Sequence, residues 1–561
     1  MIIRSLTCTL PKSHTRPMSL RARSTSPARG MFGALFRVGE QLAGYRNSQE
    51  VVVWKRMKIS CDLFQAHLKC STKCWLLAVG ETPTGNTYAE WVKAQDESFR
   101  ANETVRLVGE LPNGDVETSP AMENLKSAKW QLATNVAMQI QMNSCAVESN
   151  LHAIERVPSE GRGKAARFIP IRFRFRNKLG KDDKLLLAFD ALILSQVLER
   201  EVSLGKIIHG DPRSCARESA AIFQDQAADA KSGPTTAALS RAQLQPHVLK
   251  VKTSALAGEA RKNRDKIAAL LSSSTPPDLV LNRHCAECEF QARCRKLAVE
   301  KDDLSLLANM SAKERQKLRS KGIFTVTQLS YTFRPRRRPK RLRDKWEKYH
   351  HALKALAIRE KKIHIVGSPE LKIEGTPVYL DVEGLPDRDF YYLIGLRIGH
   401  GDSAVQHSLW ADTVADEGKI WREFLAILET VENPVLIHYG SYETTFLNRM
   451  SERHGKPAEN VRVVEAVEKP LNVLSVMFAQ FYFPTYSNGL KDVAKILDFQ
   501  WSDPMASGTR SVVLRSAWQE SHDPAAKGVA GQIQRRGLRG TRHCHLQPAA
   551  DLWDNKFPCG E

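Results

Sequence analysis

The chain has 561 residues, with 83 Lys and Arg against 62 Asp and Glu, a formal charge of +21, and 42% hydrophobic residues. That apolar share can fill several cores, which excludes global disorder, and the length predicts roughly two to four domains. The longest apolar run, Leu185 to Leu194, is short and carries Asp190, which excludes a membrane span, and the eleven Cys are too sparse for a disulfide scaffold.

Residues 1–56 hold ten Lys and Arg, two acids and no sustained apolar period. They read as a basic disordered arm, a targeting peptide, or a start codon assigned too early, with Met57 favoured as the true start. From Met57 the segment MKISCDLFQAHLKC repeats its apolar positions at helical spacing, and composition stays globular to about residue 300. Asp211 to His247, rich in Ala, Ser and Gln, breaks this pattern and reads as an insertion or loop.

A second unit starts near Ala308. Ser311 and Glu314 have capping-box spacing, Gly322 marks a turn, and Ile323, Val326 and Leu329 share a helical side, so 308–333 reads as a helix–hairpin–helix-like module. Next comes RPRRRPKRLRDK, with eight Lys and Arg between Arg334 and Lys345. Arg334, Arg336, Arg337, Arg338, Lys340 and Arg341 could contact phosphate through counterion release, or could form a solvated linker within 334–375. A third unit, 376–505, alternates β-rich runs (VYLDVEG, FYYLIGLRI, PVLIHYG) with the helical pattern SYETTFLNRMSERHG, which predicts an α/β layer.

Two constellations carry chemistry. Cys285, Cys288 and Cys294 form C-x2-C-x5-C, which puts thiolates on one ion or cluster. Cys70 is the favoured fourth ligand and Cys74 the alternative. Such a site would tie the two ends of the first domain together, and spacing alone leaves zinc and a [4Fe–4S] cluster both open. In LDVEG, Asp381 and Glu383 are residues i and i+2 of a strand, so their carboxylates share a face about 6.5–7 Å apart. They could converge on a pair of divalent ions roughly 3.5–4 Å apart.

The Cys pattern and the LDVEG segment resemble the bacterial RecB-like nuclease family over Met57 to Trp501. Its members join an iron–sulfur-stapled RecB-like domain to an RNase H-like exonuclease domain. The resemblance implies a multi-domain α/β fold: a degenerate PD-(D/E)XK-like domain with a four-Cys cluster, then an RNase H-like, DEDD-type exonuclease domain. It favours [4Fe–4S] over zinc. It also implies Mg²⁺ or Mn²⁺ on Asp381, Glu383 and Glu443, with His438 and Tyr442 beside them to orient water. Nucleic acid, DNA or RNA, is the implied partner, as a single strand or an end. A helicase is a further partner suggested by the family, and the location is cytoplasmic by default.

Two departures from the family pattern affect activity. In its first domain, Arg172 and Arg174 stand where active members carry Glu and Lys, His152 stands where Asp is expected, and Phe189 replaces Tyr. Arginine cannot ligate a divalent cation, so this domain is expected to have lost cleavage. Arg172 and Arg174 then either face phosphate or simply face solvent. The second departure is the missing third exonuclease motif, Tyr-x3-Asp. The tail 506–561 has no helical period and reads as aberrant and disordered. Codons permitted for Gln532 to Thr541, read one base over, encode KYNAEDCEA, which supplies the motif. A frameshift removing the fourth carboxylate is therefore expected, leaving an impaired exonuclease. The rival is a non-catalytic nucleic-acid-binding protein with a structural metal site.

Overall fold

The computed structural model describes residues 3–7, 58–112, 114–142, 145–159, 161, 165–210, 246–334, 349–366, 373–399, 401–456, 460–503 and 506–554. Arg336, Arg337, Arg338, Lys340, Arg341 and most of the Asp211–His247 span lie outside them.

The first domain is built on a mixed sheet. In spatial order its strands are Val116–Thr118, Leu132–Met142, Cys145–Val157, Arg167–Arg174, Leu204–Gly210 and Pro246–Lys252, with Lys58–Ile59 pairing Cys145–Val157. The run around Leu185 becomes the Lys181–Leu198 helix, and its continuous apolar sequence is explained by burial on nearly every side. One side meets the sheet through Ile193 and Leu194, and another meets the Cys61–Lys69 helix, where Phe64 and Phe189 stack with ring centroids 4.2 Å apart.

Residues 308–333 carry two short helices, Ala312–Arg319 and Val326–Ser330. Ser311 Oγ accepts from Glu314 N–H at 3.1 Å to start the Ala312–Arg319 helix. Gly322 turns the chain at φ +76°, and Val326 and Leu329 are buried with Ile323 against the His351–Glu360 helix.

The second large domain has a five-stranded sheet. Its strands are, in spatial order, Val405–Trp410, Phe390–Ile398, Thr376–Leu385, Pro434–His438 and Leu471–Asn472. Among the first three each neighbouring pair is antiparallel, and the last two run parallel to the central Thr376–Leu385 strand. The Glu417–Glu429 and Tyr442–His454 helices cover one face with Trp421, Phe424 and Phe446.

Two expectations are corrected. Residues 506–554 are not irregular: Gly508–Ser521 and Pro524–Asp554 are helices, and the second packs over the central strand through Leu538 and Cys544. Its glycines hide the helical period because they remove side chains where the helix lies close to the sheet. In the basic arm, Ile3–Thr7 is a strand antiparallel to Lys362–Val366, which also pairs Phe481–Tyr482.

Candidate active site

The central strand sets the site. Along Thr376–Leu385 the apolar side chains are buried, and Asp381 and Glu383 are the part-exposed pair that alternation puts on one face. Glu443 reaches the same place from the first turn of the Tyr442–His454 helix, where the free N–H groups of the helix end favour an acid. Burial, then Glu383 and Glu443, push the Asp381 carboxyl well above the usual carboxylate range. Burial also pushes Glu383 up to about 7; the nearby Ser511 hydroxyl opposes the rise and Glu443 adds to it. Three carboxylates therefore share one poorly solvated spot.

His438 ends its strand fully buried, with Nδ1 3.5 Å from Glu443 Oε2 and Nε2 3.3 Å from Thr444 Oγ1. It stands behind the acid and does not line the open cleft. Tyr442 does face the opening: its hydroxyl occupies the space a side chain at Gly384 would fill. Burial, then Tyr391 and the site carboxylates, raise its phenol, so it acts as a neutral hydrogen-bond group.

Sequence reasoning missed the side of the site built by the last two helices. Ser511 is buried against the Tyr392 hydroxyl and faces Glu383. Gln534 Nε2 donates to the Asp381 carbonyl at 3.1 Å. Gly537 lies directly over Asp381, and a Cβ there would be 2.5 Å from Asp381 Oδ2. Nothing in the tail's composition signalled these contacts.

The donor set suits a hard divalent cation: all three are carboxylates, and Glu443 Oε2 has no hydrogen bond among the described residues. The raised proton affinity of Asp381 and Glu383, set first by burial and then by neighbouring carboxylates, is of the kind a bound cation would offset. Gly537 adds no donor on its side, and among the described residues no group of three or more His, Cys, Asp or Glu is arranged so that it could hold a metal ion.

Cys70, Cys285, Cys288 and Cys294 line one small cavity of about 30 Å³. Burial first, then Cys288, Cys70 and Cys285, push the Cys294 thiol up to about 11. Cys74 is buried in the core of the first domain and does not line this cavity. Around the cavity, Asn282 Nδ2 donates to Lys69 O at 3.2 Å, and Lys73 Nζ to Glu289 at 2.7 Å, so the two ends of the domain are tied together.

The arginines of the first domain are corrected. Arg172 does not face phosphate. Its guanidinium is buried, paired with both Asp190 oxygens, and its Nη2 lies 2.9 Å from Cys61 Sγ. Ser149 Oγ adds a 2.7 Å bond to Asp190. A buried charge needs such a partner, and Asp190, which breaks the apolar helix run, provides it. Arg174 spends its charge on Asp96 and Asp183, each at 3.3 Å. His152 Nδ1 accepts from Phe173 N–H at 2.9 Å and is held neutral by burial and the nearby arginines. Arg334 is exposed and donates to the Tyr331 and Phe333 carbonyls.

Residues 378–529 match the family model of the RNase H superfamily. The match spans the five-stranded sheet, all three carboxylates and the Gly508–Ser521 helix. The chain thus carries an RNase H-like domain, a type found in nucleic-acid-processing nucleases that work with Mg²⁺ or Mn²⁺. No curated protein matches the chain. No helix among the described residues is long and apolar enough to cross a membrane.

Proposed function

We propose that the chain is a 3′–5′ exonuclease of the DEDD type, impaired in this copy, joined to a RecB-like domain that has lost its own cleavage centre. The observation carrying this reading is the mutual influence of Asp381, Glu383 and Glu443, of which Glu383 lines an open cleft together with Tyr442. Asp381, Glu383 and Glu443 would hold the divalent ions, which polarise a phosphodiester and lower the pKa of water. His438 holds Glu443 in place, and Tyr442 offers its hydroxyl to the substrate or to the attacking water.

Support for impairment comes from Gly537. In the codon-shifted reading KYNAEDCEA, which starts at position 532, the Asp falls on position 537. That is the helix position pointing at Asp381 Oδ2. An acid there would complete a four-carboxylate set. In the first domain, the Arg172–Asp190 pair puts a guanidinium in the core where a nuclease would need metal-binding acids, in keeping with lost cleavage. The four-Cys cavity supports a structural [4Fe–4S] cluster, with Cys70 rather than Cys74 as the fourth ligand.

Purified protein with Mn²⁺ and 5′-labelled single strands is expected to shorten them stepwise from the 3′ end, weakly, and Asp381→Ala is expected to abolish the shortening. Retention of the ladder in Asp381→Ala would overturn the assignment. Binding without shortening favours the rival, a non-catalytic nucleic-acid-binding protein, for which the missing donor at Gly537 speaks. Sequencing the gene tests the frameshift: codons that do not encode an acidic helix one base over exclude it.

A further inference from the structure

The two large domains meet along a cleft with walls from both. Asp387, in the turn after the Asp381 strand, accepts from Asn177 N–H at 2.9 Å and Lys178 N–H at 3.2 Å, and Lys178 Nζ donates to Pro386 O at 2.8 Å. The cleft so fixed encloses about 730 Å³, within the range of sites that hold a ligand of nucleotide size. Glu383, Gly384 and Tyr442 form its inner end.

The far wall belongs to the first domain. Trp91 and Tyr88, on the Thr87–Gly109 helix, lie with ring centroids 5.6 Å apart, and Phe175 meets Trp91 edge-on at 6.3 Å. Arg176 lines the same wall and makes no hydrogen bond or ion pair among the described residues. Arg176 and Lys178 also line a neighbouring cavity of about 440 Å³, where they and Lys69, Lys181 and Arg283 outnumber the acids Asp182, Asp183 and Glu287. Glu383, aromatic rings and cations therefore line one cleft, and Arg176 and Lys178 continue into its neighbour.

These groups match the parts of an unpaired nucleic-acid strand. Bases stack on aromatic rings irrespective of sequence, while Lys and Arg follow the phosphates. In a duplex the base faces already stack on one another and cannot reach Trp91 or Tyr88. We propose that this furrow seats the terminal nucleotides of a single strand, with bases on Trp91 and Tyr88 and phosphates on Arg176 and Lys178. The last phosphodiester is thereby delivered to Glu383 and its partners. The first domain, without a cleavage centre of its own, is then the substrate-binding wall of the exonuclease site. This rests on the exonuclease reading for its direction, but not for its binding prediction.

The test uses the full chain in EDTA and 5′-fluorescein octamers of thymidylate and uridylate, with the matching DNA duplex as competitor. Anisotropy is expected to show at least one octamer binding, a weaker duplex, and about a tenfold or greater loss in Trp91→Ala and in the surface variant Arg176→Glu. The octamer bound more tightly identifies DNA or RNA as the substrate. Affinities within twofold of the parent in both variants, equal competition by duplex, or no binding of either octamer would overturn the proposal. If both variants weaken binding but the parent chain shortens nothing in Mn²⁺, the furrow stands and the exonuclease reading falls.

Discussion

Gly537 and Asp381 are in direct apposition: a Cβ on the glycine would sit 2.5 Å from Asp381 Oδ2. The terminal helix thus comes closest to the site at a residue with no side chain. Gly537→Asp in EDTA is expected to lower the melting temperature, because a fourth carboxylate is added to three that already repel one another. Mn²⁺ should restore stability to this variant more than to the parent. Stepwise shortening in Mn²⁺ should rise about 100-fold, and Gly537→Asn should not reproduce the gain. Equal behaviour of the two variants would remove position 537 from the metal site.

The buried pair of Arg172 and Asp190 predicts strongly unequal mutants. Arg172→Ala or Asp190→Ala leaves one charge in a core with no partner and should cost about 3–5 kcal/mol in urea denaturation. The double variant Arg172→Met with Asp190→Leu removes both charges and should lose clearly less than either single change. A simple sum of the two single losses would contradict the pairing.

Lys354 predicts a pH dependence remote from the carboxylates. Its ammonium is buried under the 481–488 segment, where Thr485 Oγ1 at 3.1 Å and Asn488 Oδ1 at 2.7 Å accept from it. Burial lowers its pKa to about 7, against a smaller opposing effect of Asp492. Between that value and the ordinary lysine range the unfolded chain holds a proton the folded chain has released. Stability attributable to this group therefore rises from about pH 7 towards pH 10. Below pH 7 both states are protonated and the dependence flattens. Comparing urea midpoints of the parent and Lys354→Met across this range isolates the contribution, and parallel curves would refute it.

The cysteine cavity predicts a colour. Protein purified without oxygen should absorb broadly near about 400 nm if it holds [4Fe–4S], and Cys288→Ser should lose that band together with thermal stability. Cys74→Ser should keep the band. A colourless protein carrying zinc would select the alternative metal at the same four thiols.

What the sequence disclosed follows the range of the interactions involved. Asp381, Glu383 and Glu443 were readable because strand alternation and a helix start place them locally. The Ser311 cap and the Gly322 turn were readable for the same reason. Arg172 was misjudged because its partner lies on another element: Asp190 interrupts an apolar helix, and nothing local says which strand it faces. The terminal helices were hidden differently. Glycines at 531, 537 and 540 weaken a helical pattern, yet Gly537 and Gly540 lie against Asp381 and Trp501, so a side chain at either would require those neighbours to shift. Tertiary contact there outweighs propensity.

Asp387 commits both carboxylate oxygens to main-chain amides of the other lobe. Cutting the chain between its lobes would leave that acid without donors and strip away the wall that carries Trp91. A shortened C-terminal half would keep the carboxylates but lose that wall, so a weak result from it would leave the proposed furrow of the full chain unjudged. The lobes have separate cores and still make a single working unit.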